Sequence, residues 1–179
     1  MISTGLDNYR RTLKEVFGYP DFRTGQEEVL TRLTDRDVMA VMPTGLGKSL
    51  CYVLPAISKG RTVVVSPLIA LMRDQVQSLK AVGVRATFIN SSLTRSAQNA
   101  NYLDFIEGRT DLLYVAPERF ANTRFVAGLR KAGVKLLAID EAHCLSEWGH
   151  DFRPDYLTLG AVREALGRPR TLALTATAE

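Results

Sequence analysis

The segment Met42-Pro43-Thr44-Gly45-Leu46-Gly47-Lys48-Ser49 constrains the fold of this chain more than any other part of its sequence. The apolar run before it, residues 38–42, has the composition of a buried strand, and residues 50–54 continue as an apolar helix start. A strand, a glycine-rich loop and a helix in this order are the context of a phosphate-binding loop. The segment therefore predicts an α/β fold that binds a nucleoside triphosphate.

The residue types of this loop suit phosphate chemistry. Gly45 and Gly47, with Thr44 beside them, allow the backbone to curl so that its N–H groups point at a phosphate. Lys48 would place a positive charge on the β- and γ-phosphates, and the hydroxyl of Ser49 would ligate Mg²⁺. Met42 stands where the strict pattern has its first glycine. The alternative is a helix N-terminus that is simply rich in glycine.

Length and composition describe an ordinary soluble domain. The chain has 179 residues, of which 46% are hydrophobic and 23% charged, and its net charge is +4. This mild excess of cations permits a polyanionic partner without requiring one. No apolar run is long enough to span a membrane, and no export signal begins the chain. Cys51 and Cys144 have no metal-ligand spacing, so we expect reduced thiols in a cytoplasmic or nuclear protein that is not secreted.

Short apolar runs alternate with helical patterns along the whole chain. Strands buried on both faces are continuously apolar, as in Thr62-Val63-Val64-Val65, and they form parallel sheets. Strands are predicted at residues 37–42, 61–66, 84–90, 111–116, 135–139 and 170–175. Helices are predicted at residues 6–17, 24–33, 68–79, 94–107, 118–131 and 155–166. The sequence thus predicts one doubly wound α/β lobe over residues 1–179, with a mostly parallel central sheet and helices on both faces.

A second charged segment, Asp140-Glu141-Ala142-His143, follows the apolar run 136–139 directly. In a parallel sheet, the carboxyl end of that strand lies at the edge where the phosphate loop opens. We expect Asp140 to hold Mg²⁺, with Glu141 orienting or deprotonating the attacking water. The alternative is an Asp helix cap followed by a Glu in the first turn. His143 suits a helix start and a coupling role equally well.

Residues 144–156, Cys-Leu-Ser-Glu-Trp-Gly-His-Asp-Phe-Arg-Pro-Asp-Tyr, have neither a helical nor a strand period. Aromatic rings and cations in one loop suit single-stranded nucleic acid, where bases stack and phosphates pair with arginine. An aromatic loop that packs on its own domain has the same composition, and the residues alone favour that simpler interpretation.

Taken together, these motifs resemble the first motor lobe of RecQ-family DNA helicases, with a DEAH-type box at residues 140–143. The resemblance covers nearly the whole chain. Beyond residues 42–52, 140–144 and 146–156, it includes four further segments in the same order. These are residues 17–26 (the adenine-recognition motif), 65–75 and 114–119 (two DNA-contact motifs), and 174–178 (the motif that couples hydrolysis to motion).

The resemblance implies a RecA-like lobe that uses ATP and Mg²⁺, with residues 1–34 forming helices that recognise adenine. Tyr19 would stack on the base, while Arg23 and Gln26 would hydrogen-bond to its edge. Without the resemblance, Tyr19 would be interpreted as core or cap packing, and Arg23 as a solvated charge.

For DNA, the resemblance implies that the loop of residues 146–153 senses a single strand and signals to the ATP site. The residues assigned to DNA are Trp148, His150, Phe152 and Arg153 of that loop, together with Ser66 and Pro67. Ser66 and Thr175 have a simpler alternative role in satisfying backbone groups at strand ends.

The sequence departs from the family pattern at two positions. Leu46 stands where a third loop glycine is common, which reduces local backbone freedom. Glu147 stands where glutamine is frequent and adds a negative charge to the loop assigned to DNA.

The resemblance also implies a second motor lobe, which supplies arginine fingers and which we expect to be absent from these 179 residues. We therefore expect the chain alone to hydrolyse ATP slowly and to bind single-stranded or partially duplex DNA weakly, in a salt-sensitive manner. The preferred interpretation is the ATP-binding lobe of a 3′-to-5′ DNA helicase. The alternatives are a stand-alone nucleotide- and DNA-binding module without helicase activity, and a phosphate-loop ATPase that acts on proteins.

Overall fold

A computed structural model describes residues 5–43, 47–142 and 159–176, and the side chain of Leu159 is not described. Helices span Gly5–Phe17 (α1), Gln26–Leu33 (α2), Leu50–Lys59 (α3), Ile69–Ala81 (α4), Arg95–Ile106 (α5), Thr123–Ala132 (α6) and Leu159–Ala165 (α7), with a 3₁₀ helix at Pro117–Ala121. Strands span Val38–Met42 (β1), Thr62–Val65 (β2), Ala86–Ile89 (β3), Leu112–Val115 (β4), Leu136–Ile139 (β5) and Arg170–Ala176 (β6).

The six strands form one sheet in the order β1-β6-β5-β2-β4-β3, and every pairing between them is parallel. The predicted parallel α/β fold is therefore confirmed. Because the strands run in the same direction, their carboxyl ends meet at one edge of the sheet. The residues that follow β1, β5, β2 and β4 accordingly lie at this edge, which we call the carboxyl edge.

Helices cover both faces of the sheet. On one face, α2, α3 and α4 pack through residues such as Val29, Tyr52 and Met72. On the other face, α5, α6 and α7 contribute Phe105, Leu129 and Val162. Buried residues of α1 and α2 pack against α3 in a third apolar cluster, which places the N-terminal helices beside the segment that follows the phosphate loop.

The single helix predicted at residues 118–131 is wrong in one respect. The structure has a 3₁₀ helix at Pro117–Ala121 and a separate helix α6, with extended backbone between them at Asn122 (φ −84°, ψ 106°). The Asn122 carboxamide oxygen accepts hydrogen bonds from the N–H groups of Arg124 and Phe125, both at 3.1 Å. This cap starts a new helix, because the side chain satisfies N–H groups that the preceding turn leaves unpaired.

Of the helix predicted at residues 155–166, residues 155–158 lie outside the described part. Within the described part, no helix is long and apolar enough to cross a membrane.

Candidate nucleotide site

Gly47, Lys48 and Ser49 lead directly into α3 at the carboxyl edge. Gly47 has φ +75°, a conformation that costs glycine little and other residues more. Its carbonyl oxygen accepts a hydrogen bond from the N–H of Leu50 at 3.1 Å, and that of Lys48 accepts one from Cys51 at 3.1 Å. Thr44, Gly45 and Leu46, also predicted in this loop, lie outside the described residues.

Lys48 lies between the two carboxylates that follow β5. Its Nζ donates to Glu141 Oε1 at 2.6 Å and lies 3.2 Å from Asp140 Oδ1. The side chains of Lys48, Asp140 and Glu141 are 13%, 5% and 14% exposed. The structure thus brings together the three residues that the sequence assigned to catalysis, although 93 positions separate Lys48 from Glu141. Because β6 lies between β1 and β5, the long side chain of Lys48 spans the distance from the loop after β1 to the carboxylates that follow β5.

Burial and pairing act in opposite directions on these charges. Desolvation is the largest single influence on the pKa of Lys48 and lowers it, but the hydrogen bonds and charges of Glu141 and Asp140 together raise it more. The pKa of Lys48 therefore ends above its ordinary value. Desolvation also dominates at Asp140, and it raises the pKa of that carboxyl in spite of the nearby ammonium. The cluster thus favours a cation at Lys48 and costs energy to keep Asp140 ionised.

Glu141 is one of the non-glycine residues in the left-handed region, with φ +55°. Its N–H donates to Asp140 Oδ1 at 3.1 Å. Non-glycine residues adopt this conformation at some energetic cost, and such strain is found where the surrounding structure fixes a side chain for function. The turn directs Glu141 toward Lys48.

Ser49 and Asp140 supply the oxygen donors that Mg²⁺ prefers. Ser49 occupies the N-cap position of α3 and has helical backbone angles. Its hydroxyl accepts no capping hydrogen bond from the described residues of that helix. Among the described residues, no three or more His, Cys, Asp or Glu side chains form a metal-binding cluster. A donor set of this kind fits a magnesium ion that is held by few protein ligands and by substrate phosphates, as is usual for this metal.

Gln26 connects the N-terminal helices to the phosphate loop. This side chain is buried, and its Nε2 donates to the carbonyl oxygen of Gly47 at 2.9 Å. Its Oε1 accepts from the N–H of Arg23 at 2.8 Å. A Cβ added at Gly47 would lie 2.6 Å from Gln26 Nε2, so a larger residue here would displace the end of the Gln26 side chain. The family resemblance assigned Gln26 to recognition of the adenine base. Nothing in the sequence indicated its contact with the phosphate loop.

Tyr19 and Arg23 lie beside Gln26 and line a small cavity of about 70 Å³ with Leu13, Asp21, Gly47 and Leu50. The Arg23 guanidinium carbon is 5.8 Å from the centre of the Tyr19 ring, and Tyr19 is 43% exposed. An exposed aromatic ring next to a cation, on the wall of a cavity that the phosphate loop also lines, is suited to a nucleotide base.

Ser66 and Pro67 follow β2 at the same edge. Ser66 is buried, and its Oγ accepts from the N–H of Leu68 at 3.2 Å. The hydroxyl therefore shapes the turn into α4 in this structure, which is the alternative that the sequence left open. The predicted DNA residues Trp148, His150, Phe152 and Arg153, together with His143 and Glu147, lie outside the described residues.

A family model described as DEAD/DEAH box helicase matches residues 23–179. The chain belongs to the DEAD/DEAH box helicase family. Among curated proteins, it is 49% identical over 169 residues to the ATP-dependent DNA helicase RecQ of Haemophilus influenzae, covering 93% of this chain and 27% of that protein. It is 47% identical over 176 residues to the probable ATP-dependent DNA helicase RecS of Bacillus subtilis, covering 97% of this chain and 35% of that protein.

Solved helicase structures share the fold of this DEAD/DEAH box lobe. A hypothetical ATP-dependent RNA helicase from Sulfolobus tokodaii superposes with a TM-score of 0.70 at 17% identity, covering 96% of this chain and 50% of that one. The helicase MrfA, solved bound to DNA, gives a TM-score of 0.71 at 18% identity, covering 98% and 27%. The predicted resemblance to RecQ helicases is confirmed, and the chain spans about a quarter of the Haemophilus relative.

Proposed function

We propose that this chain is the ATP-binding motor lobe of a RecQ-type 3′-to-5′ DNA helicase, which couples ATP hydrolysis to movement along single-stranded DNA and to duplex unwinding. The observation that carries the proposal is the contact of Lys48 with both Asp140 and Glu141. One flexible cation and two carboxylates at the carboxyl edge of a parallel sheet are the groups that phosphoryl transfer needs.

Each of these residues has a separate task. Lys48 binds the charge of the β- and γ-phosphates, and Ser49 and Asp140 would hold Mg²⁺, which neutralises the charge that develops on the transferring phosphoryl group. Glu141 orients the attacking water and accepts its proton through a carboxylate oxygen. In this structure Lys48 pairs with both carboxylates. The phosphates of a nucleotide would therefore compete with Asp140 and Glu141 for its ammonium group.

Nucleotide selection is assigned to the pocket beside the phosphate loop. Tyr19 stacks on the base, and Arg23 and Gln26 hydrogen-bond to its edge. The bond from Gln26 to the Gly47 carbonyl supports this assignment, because it fixes the base-binding residues relative to the phosphate loop. A second motor lobe, together with the loop of residues 146–153, would complete the DNA-dependent activity.

Titration with a fluorescent ATP analogue, in the presence of Mg²⁺, tests the nucleotide site. We expect Lys48→Ala to weaken binding by more than about tenfold, because hydrogen bonds to charged groups are worth about 1.5–3 kcal/mol. Lys59→Ala is the matched control, since Lys59 is an exposed lysine at the far end of α3. Equal affinities for the two variants would contradict the assignment of Lys48.

Steady-state ATP turnover with and without single-stranded DNA tests the motor. In a protein that contains both lobes, Trp148→Ala should reduce DNA-stimulated turnover far more than basal turnover. An equal loss of both rates would show that the tryptophan is structural. Turnover that is independent of DNA in the unmodified two-lobe protein would favour the phosphate-loop ATPase that acts on proteins instead.

A further inference from the structure

Two tyrosines meet in the core beneath the nucleotide site. Tyr52 lies on α3 and Tyr114 on β4, and both side chains are buried. Their hydroxyl oxygens are 2.8 Å apart, so one hydroxyl donates a hydrogen bond to the other. The rings meet edge to face, with their centres 6.0 Å apart and their planes at 78°. We call this contact the tyrosine pair.

The tyrosine pair reaches across one strand of the sheet. β2 lies between β5 and β4, and Val64 of β2 is level with Tyr114 on one side and with Ala138 on the other. These three residues and Tyr52 belong to the same apolar cluster, so α3 covers this row of side chains. The N–H of Asp140 continues the pairing of β5 with β2 at 2.9 Å. Because side chains alternate along a strand, Asp140 lies on the same face as Ala138, one step nearer to the carboxyl edge.

The two hydroxyls form a neutral and directional contact. Burial is the main cause that raises the pKa of both phenols, and the charge of Asp140 raises it further. Both hydroxyls therefore keep their protons, and one of the two protons makes the bond between them. Within the described residues, the other side-chain hydrogen bond of α3 is the weak contact of Cys51 Sγ with Met42 Sδ at 3.9 Å.

A hydrogen bond fixes a helix in a way that apolar packing does not. Apolar burial has no preferred direction, whereas a hydrogen bond requires a narrow range of distance and angle. The remaining contacts of α3 with the sheet come from apolar side chains such as Val53 and Ala56. The tyrosine pair therefore sets the rotation of α3 about its axis and its height above the sheet.

The first turn of α3 connects the tyrosine pair to the phosphate loop. Tyr52 follows Ser49 by three residues, and its N–H donates to the Ser49 carbonyl oxygen at 3.1 Å. The side chain of Lys48 is long and flexible, so its ammonium group tolerates a small displacement of the helix. Ser49 has a short side chain, and Mg²⁺ demands near-ideal octahedral geometry with ligands at about 2.0–2.1 Å. A displaced α3 would thus disturb the metal contact before the lysine contact.

We propose that Tyr52 and Tyr114 are positioning residues for the magnesium contact, because their hydroxyl pair holds Ser49 in place opposite Asp140. This inference rests on the proposed function, which assigns both of those oxygen donors to Mg²⁺. The tyrosine pair touches neither nucleotide nor metal and acts through the first turn of α3.

Titration with a fluorescent ATP analogue, first with Mg²⁺ and then with EDTA, tests this proposal in the whole chain. In the unmodified chain, Mg²⁺ should strengthen binding. We expect Tyr52→Phe and Tyr114→Phe each to reduce that strengthening by about fivefold, the effect of one ordinary hydrogen bond, and to leave the affinity in EDTA nearly unchanged. Tyr102→Phe is the matched control, since Tyr102 packs against Phe125 on the opposite face of the sheet.

Urea denaturation without nucleotide or metal gives a second readout. Each single variant leaves one buried hydroxyl without its partner, which should lower the free energy of unfolding, whereas the double variant leaves neither hydroxyl. The two losses should therefore not add, and the double variant should be at least as stable as either single variant. Its response to Mg²⁺ should nevertheless stay reduced, because the directional contact is still missing.

The outcomes separate positioning from packing. An unchanged response to Mg²⁺ in both single variants, or its full return in the double variant, would overturn the positioning role and leave the nucleotide site in place. Additive losses of stability would also overturn it, because the two hydroxyls would then not act as a pair. If neither Mg²⁺ nor Lys48→Ala changed the affinity for the analogue, the proposed function would be contradicted and this inference with it.

Discussion

Lys48 lies between Asp140 and Glu141 at one end of the carboxyl edge, with its side chain 13% exposed, while Arg95 and Arg124 stand exposed at the other end beside a cleft without carboxylates. The same kind of charge is thus buried and paired at one end and open and unpaired at the other. Pairing fixes the geometry that phosphoryl transfer requires, whereas exposed cations attract a long, variable polyanion. Edge position alone does not decide which of the two tasks a cation performs.

The reactivity of thiols provides the largest expected contrast between the two ends. Burial raises the pKa of Cys51, next to the phosphate loop, from 9.0 to about 12. A shift of three units implies about a thousandfold less thiolate at neutral pH. In a Cys144→Ser background, alkylation of Cys51 by iodoacetamide should be slower than that of Arg124→Cys by at least this factor. Comparable rates would show that the nucleotide end is open to solvent.

The same pKa shift gives a stability prediction. The pKa of Cys51 is higher in the folded state, so its contribution to stability is fully present below the unfolded thiol pKa and is lost as pH rises toward 12. Urea denaturation above pH 9 should therefore show a falling free energy of unfolding. The fall should be smaller in a Cys51→Ala variant.

Removing the paired cation should have the next largest effect. Lys48→Ala leaves Asp140 and Glu141 close together and largely buried, which should lower the free energy of unfolding by about 3 kcal/mol. The loss should shrink at acid pH as Asp140 binds a proton, since desolvation already raises the pKa of that carboxyl. Chemical denaturation of Lys48→Ala and Lys59→Ala measures the difference. Equal losses would mean that the pairing contributes nothing to stability.

Gly128→Ala tests how tightly α5 and α6 pack at the contact between the rings of Tyr102 and Phe125. The added methyl would collide with the Tyr102 ring, so Tyr102 must leave Phe125, at a cost of about 2 kcal/mol. Thermal denaturation measures this loss, and Tyr102→Ala in the same chain should recover part of it. Because alanine is otherwise the better helix former, a stabilised Gly128→Ala variant would show that α5 and α6 pack loosely at this contact.

The smallest expected effect concerns the exposed arginines themselves. Arg95→Gln combined with Arg124→Gln should change the free energy of unfolding by less than about 0.5 kcal/mol, because neither side chain is buried or paired with a carboxylate in the described structure. Denaturation in urea provides the measurement. A loss as large as that of Lys48→Ala would remove the contrast between the two ends.

Local patterns were sufficient for most elements of the fold. All six strands occur where they were predicted, most of them in continuous apolar runs, because strands buried on both faces need such runs. The prediction failed at Asn122, where a side-chain cap divides one helical pattern into two elements. Apolar periodicity carries no information about a cap of this kind, since the capping residue contributes nothing to the buried face.

Residue types also assigned most of the candidate nucleotide site. In the structure Lys48 contacts Asp140 and Glu141, whereas the contact of Gln26 with Gly47 had no signal in the sequence. The sequence also gave no signal that Arg95 and Arg124 line one cleft. They lie in different elements, and no motif connects them.

The sequence by itself determined which segments become strands and helices and which side chains have the chemistry for phosphate, because these depend on local apolar period and residue type. Only the tertiary structure decided which of them meet. The order β1-β6-β5-β2-β4-β3 brings Lys48 to Asp140 and separates both from Arg124. Strand order depends on how helices from distant parts of the chain pack against the sheet. No single segment of the sequence determines that packing.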